Sequence, residues 1–324
     1  MKKLDKTNKK ILGILKHNSR TPYSKIAKEL KINRTIIAYR IEQLIKKGVI
    51  RSFEPKIDYE KIGYFKYLCY IGFYDFDKKT KEKIIHFLKT HPFSAWLGEC
   101  IGKYQIRLRV LAKDKSHFYR ILSEIEQEFG SNLREIKTLH MVEPIKQDNE
   151  IVFRGGKKLI VKKPKPIELD DKDYLILQGL TKNCRETLLN LSKKTGLSIE
   201  GLRNRIKSLE KNGIILGYTC NINTHSIEDV GLWGNILVKF KNPERIAGKL
   251  REFTSQRKQL GRSFLLFGDW NAEFTFFTKD MQTLHDLLNE FLTEFSKDIH
   301  QYDIIFYLEG HKYPPVPEGV LVVN

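Results

Sequence analysis

The sequence predicts an α+β fold in which a winged helix-turn-helix unit is followed by an antiparallel βαββαβ sheet domain, and the pair is duplicated in tandem. Three observations predict it. A short helix and a basic second helix lie near the N-terminus, the hydrophobic period then changes to a βαββαβ order, and the pattern recurs 165 residues later, with Leu169 opposite Leu4. A chain of 324 residues is long enough for several such domains.

The first helix pair lies between residues 23 and 48. Tyr23 to Leu30 predicts a short helix, and a two-residue turn separates it from Asn33, which suits the N-cap of a second helix that ends at Gly48. Two helices joined in this way predict a helix-turn-helix whose second member enters the major groove, while a packed helical hairpin is the alternative. The polar face of the second helix has side chains able to contact phosphates and base edges, namely Arg34, Thr35, Tyr39, Arg40, Lys46 and Lys47.

Residues 4 to 17 and 49 to 58 complete the first unit. The former place apolar side chains on one helical face that would cover the helix pair. The latter alternate apolar and polar residues around Pro55, as a short β-wing beside the recognition helix would. We therefore predict a winged helix-turn-helix domain over residues 1–60.

The segment over residues 61–145 has a different period. Its pattern predicts a strand from Tyr67, a helix at 78 to 90, a hairpin turning at Gly102, a helix at 114 to 129 and a final strand. The order βαββαβ is typical of a ferredoxin-like domain, which is an antiparallel sheet with helices on one face.

The chain then repeats this organisation. From Leu169 to Thr219 the register with the first copy continues without a gap, and Ser198 is the predicted N-cap of a second recognition helix. We predict a second winged helix-turn-helix domain at 169–225, a second ferredoxin-like domain at 226–312 and a tail at 313–324.

Between the two copies, residues 146–168 are rich in basic residues, proline and glycine. From Arg154 to Lys165 there are six basic residues and no acidic one. We interpret this segment as a basic linker. A solvated tether is its simpler role, and a supplementary phosphate contact is the alternative.

The charge of the chain indicates a polyanionic partner. With 58 Lys+Arg against 39 Asp+Glu the net charge is +19. Residues 1–166 have 38 basic and 18 acidic residues, a charge of +20, which leaves −1 for residues 167–324. Double-stranded DNA is therefore the predicted partner.

Other features argue against several classes of protein. The four cysteines are widely spaced and form no CxxC pair, so we predict neither a disulfide framework nor a zinc module. No pair of the nine histidines has HExxH spacing, so we predict no metal, and we predict no cofactor. The N-terminus lacks the apolar core of a signal peptide, and no apolar run approaches the length of a membrane span, so we expect a cytoplasmic protein without a membrane partner. We predict no catalytic residues, since no HExxH, nucleophile-elbow or phosphate-cradling glycine motif is present.

The order of these motifs resembles the Lrp/AsnC (feast/famine) regulators. Each copy opens with Leu-Asp, has Arg before Ile in its recognition helix and closes that helix with Gly-Val-Ile or Gly-Ile-Ile. The resemblance covers nearly the whole chain, twice. It implies a DNA-binding domain and a sheet domain for dimerisation and effector sensing, so that the two fused copies would form a single-chain pseudo-dimer with packed sheet domains. Further pairing of chains into a homo-oligomer through remaining sheet edges stays open.

The resemblance also implies a small-molecule effector, such as an amino acid, bound near the hairpin of the sheet domain. In the second copy the family's Gly-Asp-aromatic hairpin motif is present at Gly268, Asp269, Trp270 and Asn271. In the first copy residues 102–105 are Gly-Lys-Tyr-Gln and depart from the motif, which argues against effector sensing there. A plain β-turn is the alternative role of this motif.

Charge ranks the two candidate DNA-binding domains. Residues 1–56 have 16 basic and 4 acidic residues (+12), against 9 and 7 (+2) in residues 167–222, so the first should bind phosphates more strongly. For base edges we predict Arg34, Thr35 and Tyr39, with Arg203 and Asn204 in the second copy. For the DNA backbone we predict Arg20, Lys25, Arg40, Lys47, Arg51, Arg185 and Arg205. Arg40 and Arg205 have an alternative role, which is to brace the fold through an ion pair.

Two other functions are compatible with the sequence. Siroheme decarboxylases and their nitrite-reductase-assembly relatives resemble the same architecture. That resemblance implies a porphyrin between sheet domains and His and Arg near the hairpin, whereas neither hairpin of this chain contains His. The other is an interaction protein that has kept the fold and lost DNA binding, against which the basic first domain argues.

Overall fold

A computed structural model of the chain describes residues 3–146, 167–223, 227, 231–312 and 316–321. The chain divides into two units. The first, which we call the helix-turn-helix unit, comprises Met1–Gly63, Val152–Asp229 and Glu318–Asn324, and the second, the barrel unit, comprises Tyr64–Ile151 and Val230–Pro317. Most of the predicted basic linker, with its phosphate contact, and half of the predicted tail lie outside the described residues.

The described helices and strands follow the predicted order in both copies. The helices are α1 (Lys6–His17), α2 (Tyr23–Leu30), α3 (Arg34–Lys46), α4 (Lys78–Thr90), α5 (Lys115–Phe129), α6 (Asp171–Lys182), α7 (Leu188–Thr195), α8 (Ile199–Lys211), α9 (Pro243–Gln256) and α10 (Met281–Phe295). The strands are β1 (Ile50–Ile57), β2 (Phe65–Phe73), β3 (Ser94–Ile101), β4 (Ile106–Ala112), β5 (Leu133–Lys146), β6 (Ile215–Ile222), β7 (Leu232–Phe240), β8 (Leu260–Gly268), β9 (Ala272–Thr278) and β10 (Ile299–Lys312). Within the described ranges, none of the helices has the combination of length and apolar character needed to cross a membrane.

The two helix-turn-helix copies begin with the same capping arrangement. The Asp5 carboxylate accepts a hydrogen bond from the amide of Asn8 (2.6 Å), and that of Asp170 accepts one from the amide of Asp173 (2.9 Å). Because these bonds satisfy amides that have no partner in the first turn, each Leu-Asp motif starts the first helix of its copy.

The strand after each recognition helix forms as predicted, but it pairs with the corresponding strand of the other copy and not with a strand of its own copy. β1 pairs antiparallel with β6, the corresponding strand of the second copy, with Phe53 opposite Cys220 and Pro55 opposite Tyr218. A single strand has an unpaired row of amides and carbonyls, and the duplicated strand supplies the missing partner. The two copies therefore share one two-stranded sheet within the helix-turn-helix unit.

The barrel unit contains both βαββαβ sheets. The strand order is β3-β4-β2-β5 in the first and β8-β9-β7-β10 in the second, which is the predicted ferredoxin-like order. The edges of the two sheets pair antiparallel, β5 with β8 and β10 with β3, so the eight strands close into a barrel. The predicted packing of the two sheet domains against each other is therefore present, and it removes four sheet edges.

Among the described residues of the barrel unit, three apolar cores pack the sheets and helices together. One lies between the first sheet and α4 and α5, and a second lies between the second sheet and α9 and α10. The third lies between the two sheets and consists mainly of aromatic and leucine side chains, including Tyr70, Trp96, Tyr104, Trp270 and Tyr307. Each sheet is thus covered on both faces.

The four cysteines, Cys69, Cys100, Cys184 and Cys220, are buried free thiols. Burial raises the pKa of the Cys69, Cys100 and Cys220 thiols to about 12 and also raises the pKa of Cys184. We expect the native protein to release almost no chromophore with Ellman's reagent at pH 8, and the unfolded protein to release four equivalents, since only thiolate reacts. Rapid reaction of one thiol in the native protein would contradict this assignment.

Candidate DNA-binding surface

The recognition helix α3 has one buried face and one solvent-exposed face. Ile37, Ile41 and Leu44 are buried against the other helices of the unit, and the side chain of Asn33 caps the helix by accepting a hydrogen bond from the Thr35 amide (2.8 Å). These contacts fix the rotation of the helix about its axis. The face that they leave in solvent is the predicted one.

All three residues predicted to read bases on α3 are exposed together. Arg34 and Thr35 lie in its first turn and Tyr39 lies one turn later, with 61% of its surface exposed. The first turn of a recognition helix is the part that contacts base edges in helix-turn-helix proteins, and its free amides favour a phosphate. The face can therefore offer a guanidinium, a hydroxyl and a phenol to one stretch of groove.

The sequence did not single out Ile36, which is 48% exposed on the same face. An exposed apolar side chain on a recognition helix can contact the methyl group of thymine. The signal was present, because Ile36 falls outside the buried stripe formed by Ile37, Ile41 and Leu44.

The predicted backbone-contacting cations around α3 differ in their partners. Lys25 and Lys47 are exposed. The Arg51 guanidinium donates to the Asn223 side chain (2.9 Å). Lys46 forms an exposed ion pair with Glu42 (2.9 Å), and this hydrogen bond raises the pKa of Lys46. Lys25 and Lys47 are therefore the better placed cations for phosphate contacts.

Arg40 and Arg205 take the alternative role that the sequence left open. The Arg40 guanidinium lies 2.6 Å from the Asp5 carboxylate, and that of Arg205 lies 2.7 Å from Asp170 and 3.0 Å from Asp173. The hydrogen bond from the Asn8 amide and that from Arg40 together lower the pKa of Asp5. Each arginine ties its recognition helix to the first helix of the same copy, and its role in phosphate binding stays a prediction.

Arg20 and Arg185 lie where the two helix-turn-helix copies meet. The Arg185 guanidinium donates to the backbone carbonyls of Ser19 and Thr21 and stacks over the ring of Tyr23 at 4.5 Å. The Arg20 guanidinium lies 4.8 Å from the ring centroid of Tyr218. The sequence predicts both residues as contacts to the DNA backbone, and that role stays a prediction. In the structure both side chains join the two copies, and the Arg185 contacts, which span 164 to 166 residues, were not visible in the sequence.

We expect Arg185→Ala to loosen the junction of the two copies without removing a phosphate contact. Loss of two hydrogen bonds should cost about 1–3 kcal/mol and speed amide hydrogen exchange in β1 and β6. The slope of log affinity for DNA against log salt should stay unchanged, since the slope counts phosphate contacts. A shallower slope would return Arg185 to the DNA-binding set.

The second recognition helix, α8, has the same construction and a weaker charge. Ser198 caps it by accepting a hydrogen bond from the Gly201 amide (3.1 Å), and the predicted base-reading residues Arg203 and Asn204 are exposed. Glu200 lies in its first turn, where the first copy has Thr35. A carboxylate at this position repels phosphate, so α8 is the weaker candidate of the two.

Most residues of the predicted effector motif in the second hairpin make contacts that stabilise the fold. Gly268 adopts φ +142°, and a Cβ there would lie 2.7 Å from the Thr138 carbonyl oxygen, so only glycine fits the turn. Trp270 is buried between the sheets, and the Asn271 amide group bonds the backbone N–H and carbonyl of Phe240 at 2.8 Å each. Asp269 alone is exposed, 3.4 Å from the Lys137 ammonium.

The contacts of Gly268, Trp270 and Asn271 therefore support a structural role for these three residues in closing the hairpin. Within the described ranges, no group of three or more His, Cys, Asp or Glu side chains is arranged to hold a metal ion. The candidate site is the polar and cationic surface that α3 exposes.

The fold and the exposed helix define a tandem of helix-turn-helix domains joined to paired sheet domains. The family described as winged helix-turn-helix DNA-binding matches residues 4–51 and 169–215. Over 128 residues the chain is 32% identical to the transcriptional regulator LrpA of Pyrococcus horikoshii, a match that covers 37% of this chain and 84% of LrpA. The chain belongs to the Lrp/AsnC family, as a tandem of two copies.

Two further comparisons define the extent of the similarity. Over 60 residues the chain is 55% identical to the regulator LysM of Sulfurisphaera tokodaii, which covers 18% of this chain and 41% of LysM. The crystal structure of the siroheme decarboxylase NirDL superposes with a TM-score of 0.66 at 15% identity, covering 97% of this chain and 96% of NirDL. At that identity the superposition shows the duplicated fold alone.

Proposed function

We propose that this chain is a sequence-specific DNA-binding transcriptional regulator of the Lrp/AsnC type and not an enzyme. The observation that carries the proposal is the exposed face of α3, where Arg34, Thr35 and Tyr39 are held in solvent by the Asn33 cap and a buried stripe. This face belongs to the copy with charge +12 over residues 1–56. The partner is duplex DNA, and we expect the protein to act in the cytoplasm.

The two recognition helices are proposed to bind unequal half-sites. Arg34 and Thr35 open α3, whereas Ile199 and Glu200 open α8, so the second helix has less charge for phosphates and fewer groups for base edges. A symmetric dimer reads a palindrome because its two recognition helices are identical. This chain should instead prefer one strong half-site beside a degenerate one.

The filled interior of the barrel unit favours the regulator over the decarboxylase hypothesis, which implies a porphyrin between sheet domains. Trp96 lies 5.3 Å from Tyr307 and 6.1 Å from Trp233, measured between ring centroids. The side chains of Arg107 and Glu273 lie in the same interior and are almost fully buried. A macrocycle would have to displace this aromatic and ionic packing.

Effector sensing is the second part of the proposal. Since the fold uses Gly268, Trp270 and Asn271, we assign the effector-facing role at this hairpin to Asp269 together with Lys137, which are the accessible charged pair. An amino acid has an ammonium and a carboxylate that complement such a pair. A panel of amino acids added to the DNA-binding assay, with Asp269→Ala as the control, tests this assignment.

The experiment that tests the main proposal is selection from a pool of random duplex DNA, followed by binding to the enriched and scrambled duplexes across a salt series. We expect one enriched strong half-site and an affinity that falls steeply with salt. Weak binding without enrichment would overturn the proposal. A titration with an iron porphyrin, followed by its absorbance, would then test the decarboxylase hypothesis directly.

A further inference from the structure

The two sheets of the barrel unit are related by an approximate twofold relation, which the strand registers define. Tyr70 is opposite Arg107 on β2 and β4, and Leu237 is opposite Glu273 on β7 and β9. Leu68 is opposite Arg109 and Asn235 is opposite Thr275 on the same strand pairs. Arg107 therefore corresponds to Glu273, Tyr70 to Leu237, and Leu68 to Asn235.

The corresponding residues Arg107 and Glu273 are in direct contact between the sheets. The Arg107 guanidinium lies 2.8 Å from one oxygen of the Glu273 carboxylate, and both side chains are almost fully buried. In an interface between identical halves, a residue on the twofold axis meets its own copy. Here the duplicated position has an arginine in one half and a glutamate in the other.

A second contact is matched in the same way. The Tyr70 hydroxyl accepts a hydrogen bond from the Asn235 amide (2.7 Å) and donates one to Glu273 (2.5 Å). The positions related to this pair by the twofold are Leu237 and Leu68, which belong to the same buried core. One side of the axis thus has two polar partners and the other has two leucines.

The strand seams around the barrel are matched independently. At the seam of β3 and β10, the Glu99 carboxylate lies 3.4 Å from His311 and 3.1 Å from Lys81. At the seam of β8 and β5, the corresponding residues are Leu265 and Ile145, and both belong to an apolar core. One seam is polar and the other is apolar.

Both seams also share one contact that does not distinguish the halves. The Lys312 ammonium donates to the His91 carbonyl (2.8 Å) just after α4, and the Lys146 ammonium donates to the Thr254 carbonyl (2.8 Å) near the end of α9. Each lysine comes from the other half and binds carbonyls at a helix C-terminus, a favourable position for a cation. The two lysine contacts would form in any pairing of sheet domains. The contacts that differ between the two halves, such as Arg107 with Glu273, determine which halves pair.

We propose that the two sheet domains are a matched pair in which each recognises only the other, so that a second copy of the chain cannot supply either half through like-with-like pairing. Pairing of two first halves would bury Arg107 against Arg107 and set Glu99 beside Ile145. Pairing of two second halves would bury Glu273 against Glu273 and leave Asn235 facing Leu237. Each arrangement buries like charges or an unmatched polar group.

Charge reversal in the full chain tests this proposal. Arg107→Glu gives a chain with glutamate at both positions, and Glu273→Arg gives a chain with arginine at both. Either variant by itself is mismatched, but exchange of second halves between one chain of each kind restores two unlike pairs. We expect an untagged R107E chain to co-purify with a tagged E273R chain as a complex of about 76 kDa, twice the 38.1 kDa of one chain. The amount of untagged chain recovered should be roughly tenfold greater than in two controls, which are wild-type chains mixed with wild-type chains and R107E chains mixed with R107E chains.

The doubly reversed chain R107E/E273R keeps the test decisive if a single variant does not fold. We expect each single reversal to lower the melting temperature by roughly 10 °C and the double reversal to recover most of that loss, since it restores an unlike pair. Additive losses in the double variant would overturn the proposal. Co-purification of R107E with E273R at the wild-type level, from soluble chains, would overturn it as well.

Discussion

Replacing Glu273 by alanine is expected to lower the free energy of unfolding of the barrel unit by about 3–5 kcal/mol, because it leaves the Arg107 guanidinium buried without its carboxylate. The two side chains are 7% and 1% exposed, so water cannot replace the lost partner. The Tyr70 hydroxyl would also lose its hydrogen-bond acceptor, which is the Glu273 carboxylate. Burial and the neighbouring Glu273 raise the pKa of Tyr70, so its hydroxyl stays protonated and needs an acceptor.

The measurement is urea unfolding followed by tryptophan fluorescence. The chain has three tryptophans, Trp96, Trp233 and Trp270, and all three belong to the barrel unit, so the signal reports on that unit. Asp269→Ala is the matched control: its carboxylate is 54% exposed in an ion pair with Lys137, and its loss should cost less than about 1 kcal/mol.

A second variant separates the buried charge from general damage to the core. Replacing both partners with apolar residues, as in Arg107→Met with Glu273→Leu, should recover much of the loss, because the pair costs desolvation that it only partly repays. A cost for Glu273→Ala no larger than that of Asp269→Ala would show that the barrel interior admits water. In that event the decarboxylase hypothesis, which needs space between the sheets, would gain support.

The local elements were predictable because their signals are short in range. Asn33 and Ser198 cap the recognition helices as expected, and the change of hydrophobic period in each copy predicted the βαββαβ order of both sheet domains. The repeat made the prediction stronger, since each copy had to satisfy the same pattern. The packing of one sheet domain on the other followed from the family resemblance.

The contacts between the copies were not predictable, because they join residues more than 160 positions apart. From the sequence, Arg185 and Lys47 are both basic residues expected at the surface. In the structure the Arg185 guanidinium binds carbonyls of the first copy, while Lys47 is exposed to solvent. Arg107 and Glu273 occupy equivalent strand positions, but a sequence repeat alone does not say that equivalent residues touch. That requires knowledge of where the twofold relation passes.

The effector motif shows a different limit. A Gly-Asp-aromatic turn is equally a recognition motif and a way to close a hairpin, and the sequence could not choose between these roles. In the structure Trp270 enters the core and Asn271 bonds Phe240, which explains why a tryptophan and an amide stand at these positions without any ligand. Only Asp269 is left to distinguish the two roles.

Replacing Arg34 or Lys47 by alanine is expected to weaken DNA binding in two different ways. Arg34 lies in the first turn of α3, where a guanidinium can form a bidentate contact with guanine, so Arg34→Ala should cost about 1–3 kcal/mol on the selected duplex and little on a scrambled one. Lys47 lies at the other end of the helix as an exposed cation, so Lys47→Ala should weaken both duplexes alike and reduce the salt slope by about 1.

Both variants are measured by fluorescence anisotropy on the two duplexes at four or more salt concentrations. Lys79→Ala is the matched control for charge, since it removes an exposed lysine from the barrel unit and should leave the slope unchanged. Arg203→Ala provides the comparison in the second copy and should cost less than Arg34→Ala, because Glu200 weakens the approach of α8 to phosphate. If Arg34→Ala and Lys47→Ala changed both duplexes equally, α3 would be holding the DNA backbone without reading its sequence, and the assignment of base contacts would pass to another part of the chain.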